Sequence, residues 1–150
     1  MSNSASRDQQ PSSIYLVSCV SKKRASPAPA KDLYVSDWFL KARRYVEATG
    51  CPWFILSAKY GLVPPDQVLA PYEQTLNSMG ISERRAWAER VQMQMDQALP
   101  DVGHVILFAG QRYREFLLPY FRRHGIIVEV PLEGLRIGEQ LRWLGQHIAP

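Results

Sequence analysis

Cysteine is nearly absent from this 150-residue chain: Cys19 and Cys51 are the only two, with no CxxC pair and no Cys/His cluster. That argues against a zinc site and a disulfide scaffold, and it suits a reducing compartment. No metal and no cofactor are expected. No apolar run approaches the roughly 20 residues that a membrane-spanning helix requires. The N-terminus has no basic segment followed by an apolar stretch, so a secretory signal is not expected and a cytoplasmic location is. Histidine is also sparse. His104, His124 and His147 fall at a strand start, a helix end and the C-terminal tail, which leaves no histidine for acid/base work where the polar strand ends gather.

What is present is a 46% apolar composition, enough for one domain around one core. Residues 1–13 are polar and read as a disordered leader, leaving 14–150 as a single α/β domain. The net charge of +4 permits an anionic partner such as DNA, RNA or a nucleotide without demanding one.

Ile14-Tyr15-Leu16-Val17 is a short run of strand formers, closed by Ser18-Cys19-Val20-Ser21-Lys22-Lys23-Arg24. Pro27 and Pro29 make residues 26–30 an extended loop. Ser36 caps a helix with Trp38, Ala42, Tyr45 and Val46 on one face, ended by Gly50. Residues 53–56 form the second strand, and a long connection runs from Ser57 to Ile81. A second helix starts at Ser82 and stops before Pro100. The third strand is 104–108. The stripe Tyr113, Phe116, Leu117, Tyr120 and Phe121 predicts a helix in which Pro119 imposes a kink or break. Strand 126–130 and a helix carrying Ile137, Leu141, Leu144 and Ile148 complete the chain. The alternation predicts a three-layer α/β/α fold with a four-stranded parallel sheet.

In such a sheet, ligands bind outside the carboxyl ends of the strands. Those ends here are 18–23, 57–61, 109–112 and 131–134, all small or polar. Their convergence on one rim is the expectation for a site. Lys22, Lys23 and Arg24 read either as a solvated turn or as phosphate contacts. Gly110 serves a tight turn or a close approach to a ligand, with Arg112 beside it. Cys19 and Ser21 would line the rim. Tyr113 reads as core. Asp66, on a loop stiffened by Pro64-Pro65, reads as a solvated aspartate or as a carboxylate that activates water or stabilises a cation. Lys59 could be an electrophile, a phosphate clamp or a Schiff-base amine. Tyr72 either packs on Pro71 or stacks on a base. Glu133 is a reserve carboxylate.

The segment Leu56-Ser57-Ala58-Lys59-Tyr60-Gly61-Leu62-Val63-Pro64-Pro65-Asp66, with Pro71-Tyr72-Glu73, resembles the signature of the YaaA peroxide-stress family, which binds DNA. Over residues 14–145 the chain resembles a family of small bacterial domains of unknown function. The matching stretches are SCVSKKR, APAKDLYVSDWFLKARRYVEA, ILSAKYGL, PYEQTL and VPLEGLRIGEQLRWL. These domains are similar to the uracil-DNA glycosylase-like fold, with sheet order 2-1-3-4. Some relatives resemble phage-defence DNA glycosylases that remove glucosylated hydroxymethylcytosine. The familiar water-activating motif after the first strand and the His-Pro-Ser motif are both missing, so the uracil-excision residues do not carry over.

The resemblance implies a DNA glycosylase acting on a modified base, with DNA, including modified phage DNA, as partner. In that reading Asp66 orients water or stabilises an oxocarbenium-like sugar, and Lys59 and Tyr60 stabilise the departing base. Ser57 and Cys19 line the pocket. Ser21, Lys22, Lys23, Tyr72, Glu73, Gly110, Arg112 and Glu133 complete the expected substrate contacts. The alternatives are a non-catalytic DNA-binding stress protein and a nucleoside or nucleotide N-glycosidase.

Overall fold

A computed structural model describes residues 12–146. Strand β1 (Ser12–Ser18) begins within the stretch read as leader. Residues 1–11, and the C-terminal positions His147 and Ile148, lie outside the described residues. A two-residue strand β2 (Ala28–Pro29) leads into a single turn α1 (Ala30–Leu33) and then helix α2 (Asp37–Thr49). The ends of α2 follow the local chemistry. Ser36 Oγ accepts the Phe39 N–H at 3.1 Å, and Gly50 closes the helix at φ +76°, where a side chain is strained.

Strand β3 (Trp53–Ser57) follows, and Gly61 at φ +77° then turns the chain back. Strand β4 (Gly61–Val63) therefore pairs antiparallel with β3. The expected sheet of four parallel strands is corrected to five, because a three-residue apolar segment inside the long connection becomes an edge strand. That connection also contains β5 (Val68–Leu69), antiparallel to β2, and a 3₁₀ turn over Leu76–Ser78. Helix α3 (Ile81–Ala98) starts with the Glu83 carboxylate accepting the Gly80 N–H at 3.1 Å.

Strand β6 (Val102–Phe108), helices α4 (Gln111–Arg114) and α5 (Leu118–Arg123), strand β7 (Ile127–Glu129) and helix α6 (Ile137–Gln146) complete the order. The stripe from Tyr113 to Phe121 is two helices rather than one, with Pro119 in the first turn of α5, where its missing N–H costs nothing.

The main sheet runs β4-β3-β1-β6-β7, with β3, β1, β6 and β7 parallel. One face carries Tyr15 and Phe108, stacked on each other and against Tyr45 of α2 and Trp143 of α6. Leu16 and Leu107 alternate to the other face and are fully buried, in one core with Trp87, Val91 and Met95 of α3. Each such large side chain contributes about 1.5–3 kcal/mol by leaving water. No described helix is long and apolar enough to cross a membrane.

Candidate functional site

At the carboxyl edge of the sheet, a cleft of about 590 Å³ opens where β1 ends in Ser18, Cys19, Val20, Ser21 and Lys22. Its remaining walls come from elsewhere in the chain. Ser36, Asp37 and Trp38 start α2; Thr75 and Asn77 belong to the 3₁₀ turn; Gly110 and Tyr113 follow β6. Ile137, Gln140 and Leu141 project from α6. Among the described residues, Asp37 is the one carboxylate in this lining and Lys22 the one cation. Asp37 is exposed and makes no ion pair among the described residues. The Trp38 indole N–H donates to Gln140 Oε1 at 2.8 Å, and Gln140 Nε2 donates to the Leu135 carbonyl at 2.9 Å. The aromatic wall of the cleft is thus held by an amide with both ends engaged.

Beneath the cleft, hydroxyls and a thiol knit the strand ends together. The Cys19 thiol meets Tyr113 Oη at 3.4 Å and accepts the Ala58 N–H at 3.4 Å. Tyr113 Oη also accepts the Leu76 N–H. Beside it, Ser57 Oγ donates to Tyr72 Oη at 2.8 Å, and Tyr72 Oη pairs with Tyr34 Oη at 2.6 Å. Burial pushes all three phenols, Tyr34, Tyr72 and Tyr113, above the ordinary tyrosine range, so they act as neutral hydrogen-bonding groups.

Of the residues expected at the site, Cys19, Ser21, Lys22 and Gly110 line the cleft. Asp66 does not. Its side chain is 83% exposed on the turn before β5 and is ion-paired with Lys31 at 2.9 Å. Ala30 and Lys31 donate their backbone N–H groups to Gln67 and Pro65, so this turn docks on the start of α1 and away from the cleft. Glu133 is likewise exposed, 3.7 Å from Arg114, and its neighbour Pro131 lines a different cavity with Tyr15, Tyr45 and His104. The residues after β7 therefore do not line the cleft.

Ser57 is fully buried and caps its own turn, accepting the N–H groups of Lys59 and Tyr60. The Lys59 side chain is exposed with its ammonium 5.3 Å from the Tyr60 ring. Tyr60 packs edge-on against Tyr72, which is core rather than an open stacking platform. Glu73 and Arg112 are exposed and do not line the cleft. Lys23 sits beside it: its ammonium lies 4.4 Å from the Tyr72 ring centre and donates to the carbonyl of cleft-lining Ser21 at 3.3 Å. Desolvation lowers the Lys23 ammonium below the usual lysine range.

Sequence reasoning missed Asp37, Trp38, Thr75, Asn77 and Gln140. A signal for the first two existed. In a β-α unit the helix that follows a strand begins at the carboxyl edge, so the Ser36 cap already placed Asp37 there. Among the described residues no three His, Cys, Asp or Glu side chains are grouped to hold a metal ion.

Residues 14–146 match the model of a family described only as of unknown function, DUF6884. The chain belongs to that family. It is also 26% identical, over 125 residues covering 83% of each chain, to the uncharacterized protein YfjM of Bacillus subtilis strain 168. The crystal structure of AF0587, a protein of unknown function, shares its fold with a TM-score of 0.56 and 16% identity. That likeness covers 93% of this DUF6884 chain, which spans about half (45%) of the AF0587 chain.

Proposed function

We propose that this chain is a DNA glycosylase that hydrolyses the N-glycosidic bond of a modified nucleotide and leaves an abasic site. The observation that carries the reading is the cleft at the carboxyl edge, with Asp37 as its one carboxylate. Its volume falls in the range of small-molecule sites, about 300–1,000 Å³, and suits a nucleotide turned out of the stack.

The chemistry follows from the lining. A carboxylate stabilises the oxocarbenium-like sugar or orients the attacking water, which is the work glycosidic hydrolysis needs. Asp37 takes this role in place of Asp66. The Asn77 amide and the Lys22 ammonium are the donors available to charge building on the departing base. Trp38 and Tyr113 supply flat apolar surface, and Lys22, Lys23 and Arg112 supply cations for flanking phosphates.

Two likenesses support the reading. The segment from Leu56 to Glu73 resembles a DNA-binding stress family. With the antiparallel edge strand β4 set aside, the run β3-β1-β6-β7 supports a likeness to the uracil-DNA glycosylase-like order.

The test is to incubate the purified protein with DNA carrying glucosylated hydroxymethylcytosine and with unmodified DNA, and to count abasic sites. Base release from the modified DNA alone is expected. DNA affinity without release from any substrate would replace this reading with the non-catalytic one. Faster cleavage of the free nucleoside would move the activity off the polymer.

A further inference from the structure

The lysine amines of this chain sit in different surroundings, and Lys23 stands out. Lys31 is ion-paired with Asp66, Lys22 and Lys59 are exposed to solvent, and Lys41, half-buried on α2, has no ring beneath its ammonium among the described residues. Lys23 is half-buried and has no carboxylate within ion-pair distance among the described residues. Its ammonium lies 4.4 Å from the Tyr72 ring centre and 5.8 Å from that of Tyr34. Ring faces hold a cation without supplying a countercharge.

The backbone around it is pinned. Lys23 bridges antiparallel to Tyr34, Arg24 N–H donates to the Leu33 carbonyl at 2.9 Å, and Val35 N–H donates to the Lys22 carbonyl at 3.0 Å. The amine is therefore presented from a braced loop. Its hydrogen-bond acceptor, the Ser21 carbonyl, belongs to a residue that lines the cleft.

We infer that Lys23 is a nucleophilic amine that captures the sugar left after base removal, giving the protein a second, strand-cleaving activity. This rests on the glycosylase reading above. The Nζ lone pair adds to C1′ of the ring-opened deoxyribose, the C1′ oxygen leaves as water, and a C=N bond replaces the C=O. The C2′ proton then passes to water, and its electron pair expels the 3′ phosphate as the C3′–O3′ bond breaks. Water hydrolyses the imine and returns the amine. Burial eases deprotonation of the Lys23 ammonium and outweighs the opposing field of Cys19 and Glu73, and a neutral amine is the condition nucleophilic attack needs.

The experiment mixes the full chain with an oligonucleotide carrying a preformed abasic site and adds sodium borohydride, which reduces the imine to a stable amine. Wild-type protein should give a covalent adduct that mass spectrometry places on Lys23. Lys23→Arg keeps the cation over Tyr72 but loses the nucleophile, and should cut the adduct at least tenfold with DNA affinity and melting temperature unchanged. Lys59→Ala, which removes an exposed amine outside the cleft, should retain it. No wild-type adduct, or an adduct that survives in Lys23→Arg, overturns the assignment. Base release without any adduct would leave the glycosylase reading intact and overturn this one. An adduct lost in Lys23→Arg, with no base release from any DNA, would uphold the amine and overturn the glycosylase reading.

Discussion

Gln94, on α3, occupies the space that a side chain at Gly61 would need: a Cβ at position 61 would collide with Gln94 Oε1. The same amide accepts the Leu62 N–H at 2.7 Å and donates to the Tyr60 carbonyl at 3.1 Å, so it clasps the reversal between β3 and β4 from both sides. Gly61→Ala should lose about 2–4 kcal/mol, from the positive φ and the displaced amide together. Gln94→Ala should lose about 1–3 kcal/mol by leaving those two backbone groups unpaired. Urea unfolding of both variants measures this, and wild-type stability in Gly61→Ala would contradict the clasp.

The Ser57 hydroxyl joins two elements, donating to Tyr72 and accepting from the Lys59 and Tyr60 N–H groups. Tyr72→Phe leaves the buried Ser57 and Tyr34 hydroxyls without their shared partner, at a cost of about 1–3 kcal/mol. If Tyr72 were instead a base-stacking surface, Phe would preserve stability. Chemical denaturation separates the two.

Asp37 and Asp66 make opposite predictions. Asp37→Asn should reduce base release by a factor of about 100 or more, within the usual contribution of a positioned acid or base, with DNA binding retained. Asp66→Asn, whose effect is confined to an exposed pair with Lys31 outside the cleft, should release base at the wild-type rate. The reverse result would return the catalytic carboxylate to the loop.

The buried phenols predict an alkaline limit. Tyr34, Tyr72 and Tyr113 hold their protons more tightly in the fold than an ordinary tyrosine, whose pKa is about 10, chiefly through desolvation. Their contribution is complete below that value and is lost as pH rises above it, because the unfolded chain then releases protons that the fold retains. Absorbance at 295 nm should show these phenols ionising only as the protein unfolds. Tyr72→Phe should flatten the decline of stability above pH 10.

Legibility from the residues differed by kind of feature. The cap at Ser36, the stop at Gly50 and the break at Pro119 each depend on chemistry within a few residues, and each stands where it was read. Strand β4 was not legible. Gly61-Leu62-Val63 is too short to show a period, and it becomes a strand only because β3 lies beside it and Gln94 holds the reversal. The site divided the same way. Cys19, Ser21, Lys22 and Gly110 sit at strand ends that alternation predicts, whereas Asn77 and Gln140 enter the cleft from a 3₁₀ turn and the face of a distant helix.

By itself, then, the sequence determined the alternation of elements, their caps and breaks, and the carboxyl edge as the place for polar residues, since those follow from side-chain periodicity and nearest-neighbour hydrogen bonding. The tertiary structure alone decided which polar residues meet. It turned the Ser57–Gly61 segment into a scaffold and sent Asp66 to the surface. It also joined Cys19 to Tyr113 across 94 residues and set Asp37 in the cleft wall. Such meetings depend on how strands pair and helices cross, which no local run of residues encodes.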